Sequence, residues 1–373
     1  MMASTYAAGF VATLRGEAVS WADLGMTRNE LLALCDREEL HPLLLSRIGA
    51  SEQFAGWPPD VRDALTQSAR DATAREMLRR DEIATVLSEL AAAGTAPIVV
   101  KGTALAYTAY DAPALRPRLD TDIMIDAVER GVTRRVLEGC GYVAPPYCDE
   151  LFAQFQMERT DRFGLRHVID VHWKISTQPM FADALDHERM LSRAIPVPAL
   201  GMSAVAPCAV DALLLACMHP VMHHQNTERI LWTCDTHLLA SALQSAEWGD
   251  FVDCAVQERV AAVCAHGLQG AHALFDTPVP PDVMSRLTAI SAEPSAAYLA
   301  SHRKWHHELA SSLRGSQGFA NRVKLLRKVL LPSREYMLAI YGLDGKPLGP
   351  WLLPVLYVHR NARGAWKILA GKK

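Results

Sequence analysis

Arg116-Pro117-Arg118-Leu119-Asp120-Thr121-Asp122-Ile123-Met124-Ile125 joins a turn-forming opening, two carboxylates two residues apart and an apolar close. On a strand, residues i and i+2 point to the same face, so Asp120 and Asp122 reach one cleft. Hard divalent cations want carboxylate and phosphate oxygens together, which makes the pair a docking point for a metal-triphosphate complex. An isolated Asp-x-Asp is also a common solvated loop pattern, so its surroundings must carry the assignment.

Upstream, the short apolar run Pro97 to Val100 reads as a strand. It closes on Lys101-Gly102-Thr103 and a helix-like stretch. Gly102 lets a phosphate approach the backbone, the helix start presents free N–H groups, and Lys101 adds attraction; a plain helix start is the alternative. Downstream, the pattern predicts a strand over 121–125, a helix over about 128–138 and strands over 152–159 and 167–175. In the last of these, Ile169, Val171, Trp173 and Ile175 make an apolar face, and Asp170, His172 and Lys174 make the other. If the strands are neighbours, Asp170 joins Asp120 and Asp122. Three crowded carboxylates repel one another unless cations lie between them, which implies two metals roughly 3.5–4 Å apart. On that ground, Asp120→Asn or Asp122→Asn is expected to leave the fold intact or slightly stabilised.

Around this unit the signals are helical. Thr27 to Glu30 has capping-box spacing, and His41-Pro42 ends or restarts the helix. Ile83, Val86, Leu87 and Leu90 mark a long helix that Gly94 stops. After Pro207, helices are expected over 209–218, 230–243 and 248–266, while the last forty residues show no clear period. The predicted class is α+β: an N-terminal helical region (1–94), a small mixed-sheet domain (95–205) and a C-terminal helical region (206–373).

Composition narrows the function classes. The net charge is −3, which disfavours long nucleic-acid substrates, although Arg322 to Lys328 and Arg360 to Lys373 are basic runs. Eight cysteines form no Cys-x-x-Cys pair, and the start of the chain lacks a signal-peptide pattern, so a cytoplasmic protein with reduced thiols is expected. The apolar run from Trp351 to Val358 is far short of the roughly 20 residues a membrane helix needs, so no span is expected.

Taken together, Val99 to Thr103, Tyr110, Arg116 to Ile125 and Ile169 to Trp173 resemble the DNA polymerase beta-type nucleotidyltransferases. They are closest to a bacterial family described as uncharacterised nucleotidyltransferases. The likeness extends more faintly to Leu40 to Leu44 and to His219, His223, Trp232 and Asp235. The superfamily commonly has Gly-Gly or Gly-Ser at the turn, where this chain has Lys101-Gly102. The resemblance implies that Asp120, Asp122 and Asp170 hold Mg2+ or Mn2+, and that a nucleoside triphosphate is the donor. The acceptor hydroxyl belongs to a small molecule, peptide, protein or RNA end, and Asp170 helps to deprotonate it.

Arg116 and Arg118 lie close enough to reach the triphosphate, the alternative being salt bridges to neighbouring acids. Lys101, Gly102 and Thr103 complete the nucleotide site, with His172, Lys174, His219 and His223 as acceptor-contacting or supporting residues. His219 and His223 have a zinc-compatible spacing, but the Glu and third ligand of a metalloprotease are absent, and Pro220 disfavours a regular helix starting before it. Asp235 is expected to make a buried pair with Arg229 or a histidine. Two other functions compete: a nucleotide-sugar glycosyltransferase, which would need a large α/β sheet ahead of Asp-x-Asp, and a nucleotide-binding protein without turnover.

Overall fold

A computed structural model describes residues 6–145, 153–178, 180–289, 294–299, 313, 319–332, 334–341 and 351–369. Cys148, Phe152 and the lysines at the extreme C-terminus lie outside them.

Helices α1 (Ala8–Leu14), α2 (Arg28–Glu38), α3 (His41–Ile48), α4 (Glu52–Ala55) and α5 (Pro59–Ala92) precede the first strand. The capping box forms: the Thr27 hydroxyl accepts the Glu30 N–H, and the Glu30 carboxylate accepts the Thr27 N–H. Helix α5 ends two residues before Gly94, whose φ of +81° a residue with a side chain seldom adopts. Next come β1 (Ile98–Val100), α6 (Lys101–Thr108), β2 (Thr121–Met124), α7 (Arg130–Gly139), β3 (Gln154–Thr160), β4 (Arg166–His172), α8 (His187–Ser192), β5 (Ile195–Pro196) and β6 (Val205–Ala206). One mixed sheet results, in the order β3-β4-β2-β1-β6-β5, with β2 parallel to β4 and β1 antiparallel to β2. The fold is α+β, as expected. Strands β5 and β6 are too short to carry a periodic signal. Strand β4 stops at His172, so Trp173 and Lys174 leave the ladder.

Helices α9 (Ala209–His224), α10 (Ile230–Ala242), α11 (Ser245–Gln257), α12 (Ala261–Phe275) and α13 (Pro281–Thr288) follow, then α14 (Phe319–Leu330), α15 (Arg334–Ile340) and α16 (Leu352–Leu369). Three expectations change here. Helix α9 runs through Pro220 to His224, because burial of Leu213 to Met218, Val221 and Met222 outweighs the missing N–H donor at proline. The run expected over 248–266 is two helices, parted at Arg259, whose φ of +61° closes the first. Helix α16 forms without a visible period because its apolar side chains are spread: Leu356 is buried while Val355, Val358 and Trp366 are exposed. No helix is long and apolar enough to cross a membrane among the described residues.

Two apolar clusters lie on opposite faces of the sheet. One gathers Val99, Ile123, Ile169 and Val171 against Ile83, Val86, Leu87 and Leu90 of α5. The other gathers Ile98, Val100 and Met124 with α1 to α3, the start of α5 and α9 to α13. The N- and C-terminal helical regions thus share one core. Asp122, Asp170 and His172 alternate with the first set, so they face the second.

Candidate active site

Strand register builds the site. Val100 pairs with Asp122, Asp122 with Asp170, and Met124 with His172. These neighbours share a pleat face, so a carboxylate from each of two strands and an imidazole meet above the sheet. Asp122, Asp170 and His172 each offer a ligand atom, all within 4.8 Å of one another. Asp120 is not in that group, but its charge reaches it: burial and then Asp122 push its carboxyl up to about 6. Asp170 is pushed up to about 7 by burial first, then by Asp122 and Asp120, and its Oδ1 is buried without a hydrogen-bond partner.

Asp122 behaves differently. Burial works against its charge, yet Lys101 and then His172 hold its carboxyl well below the usual range. Lys101 Nζ donates to Asp122 Oδ1 at 2.7 Å, His172 Nε2 lies 2.8 Å from the same oxygen, and Nζ and Nε2 are 3.2 Å apart. His172 is driven towards its neutral form by burial and by Lys101. The crowding of acids is therefore not uniform, and the expected relief of repulsion does not extend to Asp122. Its replacement takes away a partner from two groups.

The turn carries a second departure from ordinary structure. Lys101 has φ +52°, a left-handed backbone that costs a residue with a side chain about 1–2 kcal/mol. Gly102 packs on Arg116, since a Cβ at this position would lie 3.5 Å from the guanidinium carbon. Thr103 is buried, its hydroxyl 3.4 Å from the Asp120 carbonyl oxygen.

Both arginines have carboxylate partners. Arg116 Nε and Nη2 donate to Asp235 Oδ1 and Oδ2 at 2.7 and 2.8 Å, and Tyr110 donates to Oδ1 at 2.7 Å. Arg118 makes a fork on Glu76, with both bonds at 2.8 Å, and Tyr107 also donates to Glu76. The salt-bridge alternative describes both. Asp235 takes Arg116 rather than Arg229, which instead reaches Glu38 and Glu39, because α10 packs the aspartate towards the loop ahead of β2. Glu76 was missed. Its signal is its place on α5 between Ala72 and Ile83, on the buried stripe, where an unpaired acid does not survive.

A cleft beside the turn is lined by Lys101, Gly102, Arg116, His219, Trp232 and Asp235. His219, His223 and His224 cluster with Trp232, which stacks on His224 at 4.3 Å. His223 Nε2 donates to the Ile175 carbonyl at 3.0 Å. Burial and then Lys101 keep His219 and His223 uncharged, His223 near 3. Lys174 points elsewhere and pairs with Asp183 at 2.5 Å on the surface.

No curated protein matches this chain. A family model described as uncharacterised nucleotidyltransferase matches residues 26–276, spanning α2 to α12 and every strand of the sheet. With well over half its length so matched, the chain belongs to the uncharacterised nucleotidyltransferase family.

Proposed function

We propose that this protein moves a nucleoside monophosphate from a nucleoside triphosphate to a hydroxyl acceptor and releases pyrophosphate, as in the polymerase beta-type superfamily its motifs resemble. The observation that carries this reading is the Asp122 to Asp170 register pair with His172 beside it, at the start of α6. The residues fit a divalent cation: an unpartnered Asp170 oxygen and two carboxyls raised by burial and by their acidic neighbours are costs that a positive charge offsets. Asp122, Asp170 and His172 would hold it, with Asp120 on the same side. Magnesium or manganese bound there would neutralise phosphate charge and make the acceptor hydroxyl more acidic.

Gly102 and the first-turn N–H groups of α6 receive phosphate oxygens, and the Lys101 ammonium adds charge. Arg116 and Arg118 set the loop that delivers Asp120, held by Asp235 and Glu76, and need not touch phosphate. Asp170, the carboxylate whose oxygen has no partner, takes the proton of the acceptor hydroxyl. The acceptor oxygen then bonds to the α-phosphorus, and the bond to the bridging oxygen breaks with its electron pair leaving on pyrophosphate. Neutral His219, lining the cleft, contacts the acceptor.

Asp170→Asn tests this. Its affinity for a non-hydrolysable triphosphate should stay within about a factor of ten of the parent, about 1.4 kcal/mol, while transfer of an α-phosphate label falls by several powers of ten. Full transfer by Asp170→Asn would remove the carboxylate assignment.

A further inference from the structure

Lys101 joins β1 to α6 through a backbone that glycine adopts freely and lysine rarely. Such outliers persist where the surroundings hold them, and here the hold is on the side chain. It is 11% exposed and ends 2.7 Å from Asp122 Oδ1 and 3.2 Å from His172 Nε2. Asp122 and His172 are two of the three residues that bring ligand atoms within 4.8 Å of one another, and the third, Asp170, has a buried oxygen without a partner. The lysine therefore occupies an Asp122 oxygen that a divalent cation would need. An ammonium uses that oxygen as a hydrogen-bond acceptor and a metal uses it as a ligand, so one oxygen cannot serve both fully. Two positive centres at this separation also repel in a site with little water.

We infer that Lys101 is a built-in counter-ion that competes with the divalent cation for Asp122, and that a triphosphate ends the competition by offering the ammonium phosphate oxygens instead. This rests on the site taking a cation together with a triphosphate. Cation and nucleotide then bind as a unit, because each makes room for the other, and a cation without nucleotide is held weakly. The left-handed backbone lets one side chain serve both positions from a fixed turn.

Mn2+ titration followed by electron paramagnetic resonance tests this without any turnover. Without nucleotide, Lys101→Gln should bind Mn2+ about tenfold or more tightly than the parent, equivalent to about 1.4 kcal/mol. Lys101→Arg, which keeps the charge, should stay weak. With a non-hydrolysable triphosphate the advantage of Lys101→Gln should vanish or reverse, because the variant has no ammonium for the phosphates. Lys101→Gly, which also relieves the backbone, serves if the Gln variant melts early. If both uncharged variants bind Mn2+ no better than the parent while the parent gains affinity with triphosphate, the competition is wrong and the cation site stands. If no variant binds Mn2+ with or without triphosphate, the cation site itself falls.

Discussion

Asp122 and Asp235 are both buried aspartates that draw basic partners from other parts of the chain, but their surroundings differ. At Asp235 both oxygens are used, by the fork of Arg116 and the hydroxyl of Tyr110. At Asp122 one oxygen takes Lys101 and His172 together, while the adjoining Asp170 Oδ1 and His172 Nδ1 are buried without partners. Two more carboxyls crowd that side, and the lysine sits on a left-handed backbone. A satisfied pair holds structure together, whereas a cluster with leftover donors and acceptors is arranged for something that arrives later. Both are aspartates, so residue type alone does not separate them.

The largest effect should come at Asp122. Asp122→Asn is expected to lower transfer by about a thousandfold or more, about 4 kcal/mol of transition-state stabilisation. It should also lower the melting temperature, because Lys101 and His172 lose their carboxylate, whereas Asp170→Asn should melt at or above the parent temperature without a cation. Melts and label transfer on the same preparations decide this, and a stabilised Asp122→Asn would erase the contrast between the acids.

Asp235→Asn comes next. Leaving Arg116 buried without its carboxylate should cost about 3–5 kcal/mol in urea unfolding. The double replacement Arg116→Met with Asp235→Leu should recover most of that loss, with transfer per folded molecule within about tenfold of the parent. Wholly inactive but fully stable Asp235→Asn would move this pair into the chemistry.

A smaller effect separates the acids by pH. Asp170 and Asp120 have folded values raised to about 7 and about 6, above their unfolded range. The folded protein therefore holds more protons than the unfolded chain between about pH 4 and 7, and stability falls as pH rises through that window. Without a cation, the parent should lose several degrees more than Asp170→Asn over this range. Asp122 has the opposite sign, since its contribution is present above the unfolded value and is lost only in stronger acid. Equal pH slopes for the parent and Asp170→Asn would contradict the crowding.

The smallest change is expected at Lys174. Its pair with Asp183 is exposed, so Lys174→Ala should alter stability by less than about 1 kcal/mol and leave transfer unchanged. Loss of transfer in that variant would restore it as an acceptor contact.

Much of this was legible in the chain. Alternation over 167–172 and the Asp-x-Asp spacing placed Asp122, Asp170 and His172 on one face, and strand register brought them together. The capping box and the end of α5 at Gly94 were equally local. What escaped depends on distant packing: the hold of Asp235 and Glu76 on Arg116 and Arg118, across 119 and 42 residues, leaves no spacing to find. The pairing of Lys101 with Asp122 needs β1 beside β2, and the passage of α9 through Pro220 needs its neighbours. Lys174 was read onto the polar face only because the alternation continues two residues beyond the strand.

Helix α5 is 34 residues long, about 51 Å from end to end. Val61 and Leu65 near its start belong to one apolar cluster, and Ile83 to Leu90 near its end belong to the other. Glu76 lies between them, gripping Arg118. An unbroken helix turns by about 100° per residue, so the angular phase of one core is tied to that of the other by counting residues. A single residue inserted after Leu65 would leave the helix unbroken, yet would swing Glu76 away from Arg118 if the first core keeps its seat. The length of this helix is thus a tuning parameter: shifts of a whole repeat such as seven residues preserve phase, and single-residue steps do not.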